Sequence, residues 1–473
     1  MRKVLLSISL FALVLGLAAT PQINAQATLL AVGSLTSSQA GPYTDLSGLK
    51  NTLESGVPAN LLGGLGSGFA YASGNTFLGL PDRGPNADQF DDNIDSTTSY
   101  IPRFHTITMD LKSNRGSGLP FTLTPTLRRT TLLFSLTPLV YGLGDGIVGS
   151  GVPPQNNFLF HFFTGRSDAF DPTPDPNNSG NPRYARFDPE GIRLSNDGLS
   201  VFISDEYGPY VYQFDRLTGL RLRAFKLPDN LFSPVLSSMG AVEISGNTTG
   251  RVANKGMEGL AITPDGKTLV GIMQNALIQD ANLGGAAKKL LRIVTIDIRT
   301  GTTHEYGYLL TAGSGVSEIL ALNQHEFLVD ERDGAGRGDN GSTAKVKQIF
   351  KIDLAGAVDI TDKDGLSAVA FAVPKSSTPF LDVVAVLTAP PLSLDPTLVP
   401  SKIEGIALGP DVFQGKTKLH TLWVANDNDF EKTVPDANGN PVDNPNQIFV
   451  FGFTDADLGG SKFVPQQFRS FRW

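Results

Sequence analysis

Four glutamates recur in one local frame, and oxygen donors repeated in this way are the raw material of a divalent-cation site. The frames are Pro189-Glu190-Gly191-Ile192, Met257-Glu258-Gly259-Leu260 and Ile403-Glu404-Gly405-Ile406, with a degenerate copy at Ser317-Glu318-Ile319 that lacks the glycine. Each leads to a second apolar run that ends in polar residues: Asp205-Glu206, Gln274-Asn275, Asp427-Asn428 and Glu331-Arg332. A further copy has Ser67 or Gly68 in place of Glu-Gly and leads to Asp82-Arg83. If these positions converge, carboxylates face one another, and like charges at close range stay ionised together only beside a cation. Such donors suit Ca2+, with Mg2+ or Mn2+ as alternatives, far better than Zn2+. The expected metal donors are Glu190, Glu258, Glu318, Glu404, Asp82, Asp205, Glu206 and Asp427. Glu190, Glu258, Arg83 and Arg332 are the candidates for chemistry, because a cation held by carboxylates activates water and a guanidinium matches phosphate or carboxylate oxygens.

The competing explanation is architectural: Gly allows a close backbone approach, and Glu accepts hydrogen bonds from the next repeat. For Asn196-Asp197-Gly198 and Pro264-Asp265-Gly266 architecture is the better account, since hairpin turns call for those residues without any function. Lys255 and Arg337 are further cations near the repeats, and the Gly-rich run from Gly334 to Gly341 lacks the lysine pattern of a phosphate loop. Other chemistries lose their anchors. There is no Gly-x-Ser-x-Gly elbow, no His-Glu-x-x-His, no Arg-His-Gly and no cysteine.

The elements that must position these residues are short strands. Runs such as Phe69 to Leu80, Leu199 to Ser204, Thr268 to Met273, Leu291 to Ile298 and His420 to Ala425 are β-branched or aromatic and are separated by turn residues. The repeated glutamates lie 68, 60 and 86 residues apart, longer than common propeller repeats but consistent with blades that carry loop insertions. An all-β propeller of four-stranded antiparallel blades follows, in which each sheet buries its faces against its neighbours. Five copies are visible, and the interval from Thr122 to Phe163 has room for another, so six blades are expected, with seven as the fallback. Leu29 to Val32 is expected to pair with Phe449 to Phe453 and close the ring. Asp171 to Pro182, Gly334 to Ser342 and part of Pro374 to Pro400 read as insertions.

At the N-terminus, Arg2-Lys3, an apolar run from Val4 to Ala19 and Ala25-Gln26-Ala27 form a secretory signal peptide over residues 1–27, leaving 28–473 as one domain. The apolar part is shorter than the ~20 residues of a spanning helix, so a secreted or periplasmic protein with no transmembrane segment is expected. The net charge of −8 carries no basic footprint for nucleic acid. A small phosphorylated or ester substrate and a monomeric state are the remaining expectations.

Together with Leu80-Pro81-Asp82-Arg83-Gly84 and Ser204-Asp205-Glu206-Tyr207-Gly208, the Glu-Gly frames make the chain resemble the phytase-like family also called "esterase-like activity of phytase", over approximately Leu62 to Asp429. The resemblance implies a secreted β-propeller that hydrolyses phosphoric or other esters. It carries over the idea of acidic channel residues holding Ca2+, not a residue-by-residue match. Two alternatives share the acidic channel: a non-catalytic binding propeller with a structural cation, and a lactonase-like carboxylic ester hydrolase.

Overall fold

The computed structural model describes residues 27–142 and 151–468. The leader expected at residues 1–27 lies outside them apart from Ala27, and among the described residues no helix is long and apolar enough to cross a membrane. Five four-stranded antiparallel sheets make up the fold. Their first strands are Gly68–Ser73, Pro189–Leu194, Met257–Ile262, Gly315–Ala321 and Lys402–Gln414. Each packs against the first strand of the sheet before and after it, the last against the first, so they line the axis of a five-bladed propeller.

The expectation of six or seven blades is corrected by where the intervening chain goes. Phe121–Leu132 pairs along its length with Arg103–Ser113 and is the outer strand of blade 1. Among the described residues, the remainder of the segment up to Phe163 contributes a two-residue ribbon, Phe134–Ser135 with His161–Phe162, and isolated bridges at Phe134 and Val140. A blade needs strands apolar enough to be covered on both faces. This insertion instead leaves Phe158 87% exposed and Leu136 and Leu159 about half exposed.

Ring closure follows the expectation. Thr28–Leu35 is the outer strand of blade 5, antiparallel to Asn446–Phe453, with Leu29 opposite Phe451 and Val32 opposite Phe449. Between blades the strands interdigitate apolar residues, such as Phe69, Phe77 and Trp423 between blades 1 and 5, and Phe187, Tyr212 and Phe214 beside blade 1. At Gly409 a Cβ would stand 2.2 Å from Trp423 Nε1, so only glycine lets the indole lie flat there. The two Asp-Gly turns behave as local chemistry demands: Gly198 and Gly266 take φ of 72° and 71°, and Asp197 and Asp265 accept amide hydrogen bonds from Leu199 and Lys267.

His105, inside blade 1, is fully buried beside the Arg103–Asp45 ion pair. Its Nδ1 lies 3.0 Å from Thr130 Oγ1, which already accepts the Leu46 amide, and its Nε2 has no partner. Burial lowers its pKa to about 4, against the opposing pull of Asp45. The unfolded chain therefore takes up a proton near pH 6.5 that the folded chain refuses until about pH 4. Stability falls as pH drops through that window, by about 3 kcal/mol from this group. The melting temperature at pH 7 minus that at pH 4.5 should be lower in His105→Phe than in the parent protein, whichever sign it has; an unchanged value would refute the assignment.

Candidate active site

The Glu-Gly pattern has a geometric cause. In blade 3 the pairing steps from Met257 opposite Met273 to Gly259 opposite Ile272, and in blade 5 from Ile403 opposite Asn426 to Gly405 opposite Ala425. Glu258 and Glu404 are the extra residues of β-bulges, and the step from Pro189 to Ile192 in blade 2 accommodates Glu190 likewise. A bulge re-aims a side chain, which is how a strand buried on both faces delivers a carboxylate to the channel end. The following glycine is packing. A Cβ would stand 2.8 Å from Leu260 N at Gly191, 2.6 Å from Ile319 N at Gly259 and 3.0 Å from Phe69 N at Gly405, each in the adjacent blade.

Blade 4 breaks the pattern by one residue. Its pairing steps from Val316 opposite Glu331 to Glu318 opposite Asp330, so the bulge residue is Ser317 and Glu318 falls where the other blades have glycine. Glu318 consequently turns to the axis. Its Oε1 accepts the amides of Leu260 (2.9 Å) and Ile319 (3.0 Å), and its Oε2 lies 3.0 Å from Arg193 Nη2. Arg193 donates to the carbonyls of Phe69 (2.8 Å), Ile192 (2.7 Å), Ile319 (3.0 Å) and Ile406 (3.4 Å), which belong to blades 1, 2, 4 and 5. This buried pair is a fastening of the five inner strands, and Glu318, expected among the metal donors, is committed to it.

The other candidates assemble at the channel end. Glu206, Gln274, Arg332 and Asp427 come from matching places, each following the second-strand residue opposite Pro189, Met257, Val316 and Ile403. Asp188, Glu190 and Glu206, all buried, each bring a carboxylate oxygen within 4.8 Å of the others. Glu206 and Glu258 lie close enough to share a proton, and with both ionised Glu206 Oε1 and Glu258 Oε2 are buried without a donor. Asp205 does not join them: its carboxylate accepts the amides of Asp188 (2.7 Å) and Gly208 (2.5 Å) and so fixes the turn that presents Asp188 and Glu206.

Cations alternate with these acids. Arg83 binds Asp188 through its amide (3.0 Å) and its guanidinium. Arg332 donates to Ser317 Oγ (2.5 Å), binds Glu404 and stands 3.9 Å from Glu258. Lys402 Nζ lies 3.0 Å from Asp427 and also binds Asp429. Gln274 joins Lys255 to Glu258, at 3.3 and 2.8 Å. Arg337 is elsewhere, bonded to Asn444 and Gln447. Sequence reasoning missed Asp188 and Lys402, although both stand within three residues of a recognised glutamate.

Acids still outweigh bases, and their protonation registers it. Burial, with Glu258, Asp188 and Glu206 nearby, holds the Glu190 carboxyl well above its usual range, and burial beside Glu206 does the same for Glu258. Burial and Asp427 raise Asp82. Burial lifts Glu404 to about 7 against the pull of Arg332. Three buried carboxylates within 4.8 Å of one another and a surplus of buried acid together fit a divalent cation held by Asp188, Glu190 and Glu206.

Known proteins resemble this chain at several levels. An uncharacterized secreted protein of Arthroderma benhamiae is 36% identical over 186 residues, and the match spans 33% of this chain and 36% of that protein's length. Among solved structures, a putative 6-phosphogluconolactonase from Bacteroides uniformis aligns with 86% of this chain and 97% of its own, at 14% identity and a TM-score of 0.31. A periplasmic gluconolactonase of Pseudomonas aeruginosa aligns with 82% and 88%, at 12% identity and a TM-score of 0.30. Residues 60–430 match the family called phytase-like, described as esterase-like activity of phytase, which takes in every glutamate of the acid cluster together with Arg83 and Arg332; the chain belongs to that family.

Proposed function

We propose that this protein is an exported, divalent-cation-dependent ester hydrolase that acts on phosphoric monoesters. The observation that carries the reading is the buried group Asp188, Glu190 and Glu206, whose oxygens lie within 4.8 Å of one another, with Arg83 bound to Asp188 and Arg332 to the neighbouring Glu404. A cation held there would draw in phosphoryl oxygens and lower the pKa of water. The chain's own residues supply the rest. Glu258, protonated more readily than an ordinary carboxyl and close enough to Glu206 to share that proton, is placed to hold and transfer the proton that hydrolysis moves. Arg332 fixes Glu258 and Glu404 on one side, and Arg83 orients Asp188 on the other. Both would set positive charge against the negative charge that builds on phosphoryl oxygens in the transition state. Export is supported by the leader-like N-terminus and by the name of the secreted relative.

The test is turnover of p-nitrophenyl phosphate, p-nitrophenyl acetate and a sugar lactone with Ca2+, Mg2+ or Mn2+, and then with chelator. Phosphatase activity that disappears with chelator is the expected result. Chelator-insensitive or absent phosphate-ester turnover sinks the reading, and lactone or acetate turnover alone reassigns the ester class.

A further inference from the structure

Beside the acid cluster lies a second cavity, of about 250 Å3, that shares Arg83 with it. Its wall carries three guanidiniums, Arg83, Arg186 and Arg251, against the carboxylates of Glu243 and Asp95. Arg186 and Arg251 are each 1% exposed. Arg251 is held closely: Nε and Nη2 donate to the Tyr207 carbonyl at 3.1 and 2.5 Å, and Nη1 stands 2.6 Å from Glu243 Oε1, an ion pair in which neither atom makes a directed hydrogen bond. Arg186 is held loosely. Its Nη1 and Nη2 reach the carbonyls of Ser167 and Tyr207 only at 3.4 and 3.5 Å, its nearest approach to Glu243 is 3.5 Å, and its Nε–H has no partner. The rings of Phe170 and Tyr207 hold the guanidinium in place, at 4.7 and 5.1 Å.

A buried guanidinium with bonds at the outer limit of length is costly, and a group of that kind in a folded protein calls for an acceptor. The surroundings say which sort. Glu243 is shared between Arg186 and Arg251, exposed Asp95 is engaged by the Gly240 amide at 2.6 Å, and Ser237 Oγ accepts the Met239 amide at 3.2 Å with its own proton left to donate. Asp188 on Arg83, Glu243 on Arg186 and Arg251, and Asp95 balance the charge of the wall, and what remains is the unpartnered Nε–H of Arg186 on a fork suited to paired oxygens.

We propose that this cavity binds an oxyanion group, phosphate or carboxylate, which the substrate carries in addition to the ester it presents to the acid cluster. The shared Arg83 makes the two sites neighbours on one ligand. The role in substrate binding rests on the hydrolytic reading of the cluster; oxyanion binding itself does not.

Two measurements on the purified full chain separate these. Calorimetric titration with inorganic phosphate in chelator, where the cation-free acid cluster repels anions, should show saturable binding. Arg186→Met should weaken it by about tenfold or more, the scale of a lost charge-assisted hydrogen bond. Glu243→Gln, which takes a negative charge off the wall, should tighten it, an effect that general destabilisation would not produce. No saturable binding, or equal affinity in all three proteins, overturns the site. With Ca2+, the KM of Arg186→Met for phenyl phosphates carrying a 3- or 4-carboxylate should rise about tenfold relative to its KM for phenyl phosphate. An unchanged ratio overturns the substrate role. Absence of turnover with either ester refutes the hydrolytic reading, while the phosphate titration still decides the oxyanion site.

Discussion

Glu190→Gln should abolish the calcium-dependent rise in melting temperature and lower kcat on p-nitrophenyl phosphate on the order of a thousandfold, the scale at which one electrostatic or acid–base group acts. The first effect has a pH signature. In the cation-free protein, Glu190, Glu258 and Asp82 have raised pKa values and Glu404 titrates at about 7. Between about pH 4.5 and 7 the folded chain keeps protons that the unfolded chain has released, so stability falls as pH rises through that window. Glu404, which titrates together with its neighbours, contributes to the fall as they do. A divalent cation bound by these carboxylates would replace those protons, and its stabilising effect should grow from pH 5 to pH 8. Melting temperatures in Ca2+ and in chelator at both pH values measure it. If Glu190 merely joined neighbouring blades, Glu190→Gln would keep the full calcium response, and that result would refute the ligand assignment.

Arg193→Met should cost about 3–5 kcal/mol, because it strands the buried Glu318 carboxylate and frees carbonyls in four blades. Adding Glu318→Leu should recover much of this loss, since an apolar pair of similar volume leaves no unpaired charge. Urea unfolding of the two variants provides the comparison. A single variant within 1 kcal/mol of the parent protein, or a double variant no better than the single, contradicts the fastening role. The double variant should keep its calcium response, which distinguishes Glu318 from Glu190.

Much of the site was legible because the bulge enforces a sequence signature: a glutamate to be re-aimed, then a glycine against the next strand, as at Glu190-Gly191, Glu258-Gly259 and Glu404-Gly405. Glu318 misled for the same reason. The bulge of blade 4 sits on Ser317, a residue with no charge to advertise it, and the neighbouring carboxylate took its place in the alignment. Asp205 misled because strand alternation sends it toward backbone amides and its neighbour Glu206 toward the channel. The ring closure near Leu29 could be read from an unpaired apolar strand at each end. The blade count could not. Strand propensity in Phe121–Leu132 does not say that it completes a sheet already begun, and the outer strand of blade 4 is only Leu381–Asp382.

The seam between Thr28–Leu35 and Asn446–Phe453 joins residues up to 424 positions apart. A ribosome makes the first of these strands long before the second, so for nearly the whole of translation an apolar strand waits with an open edge. Blade 5 is therefore the last sheet whose four strands are all available to pair.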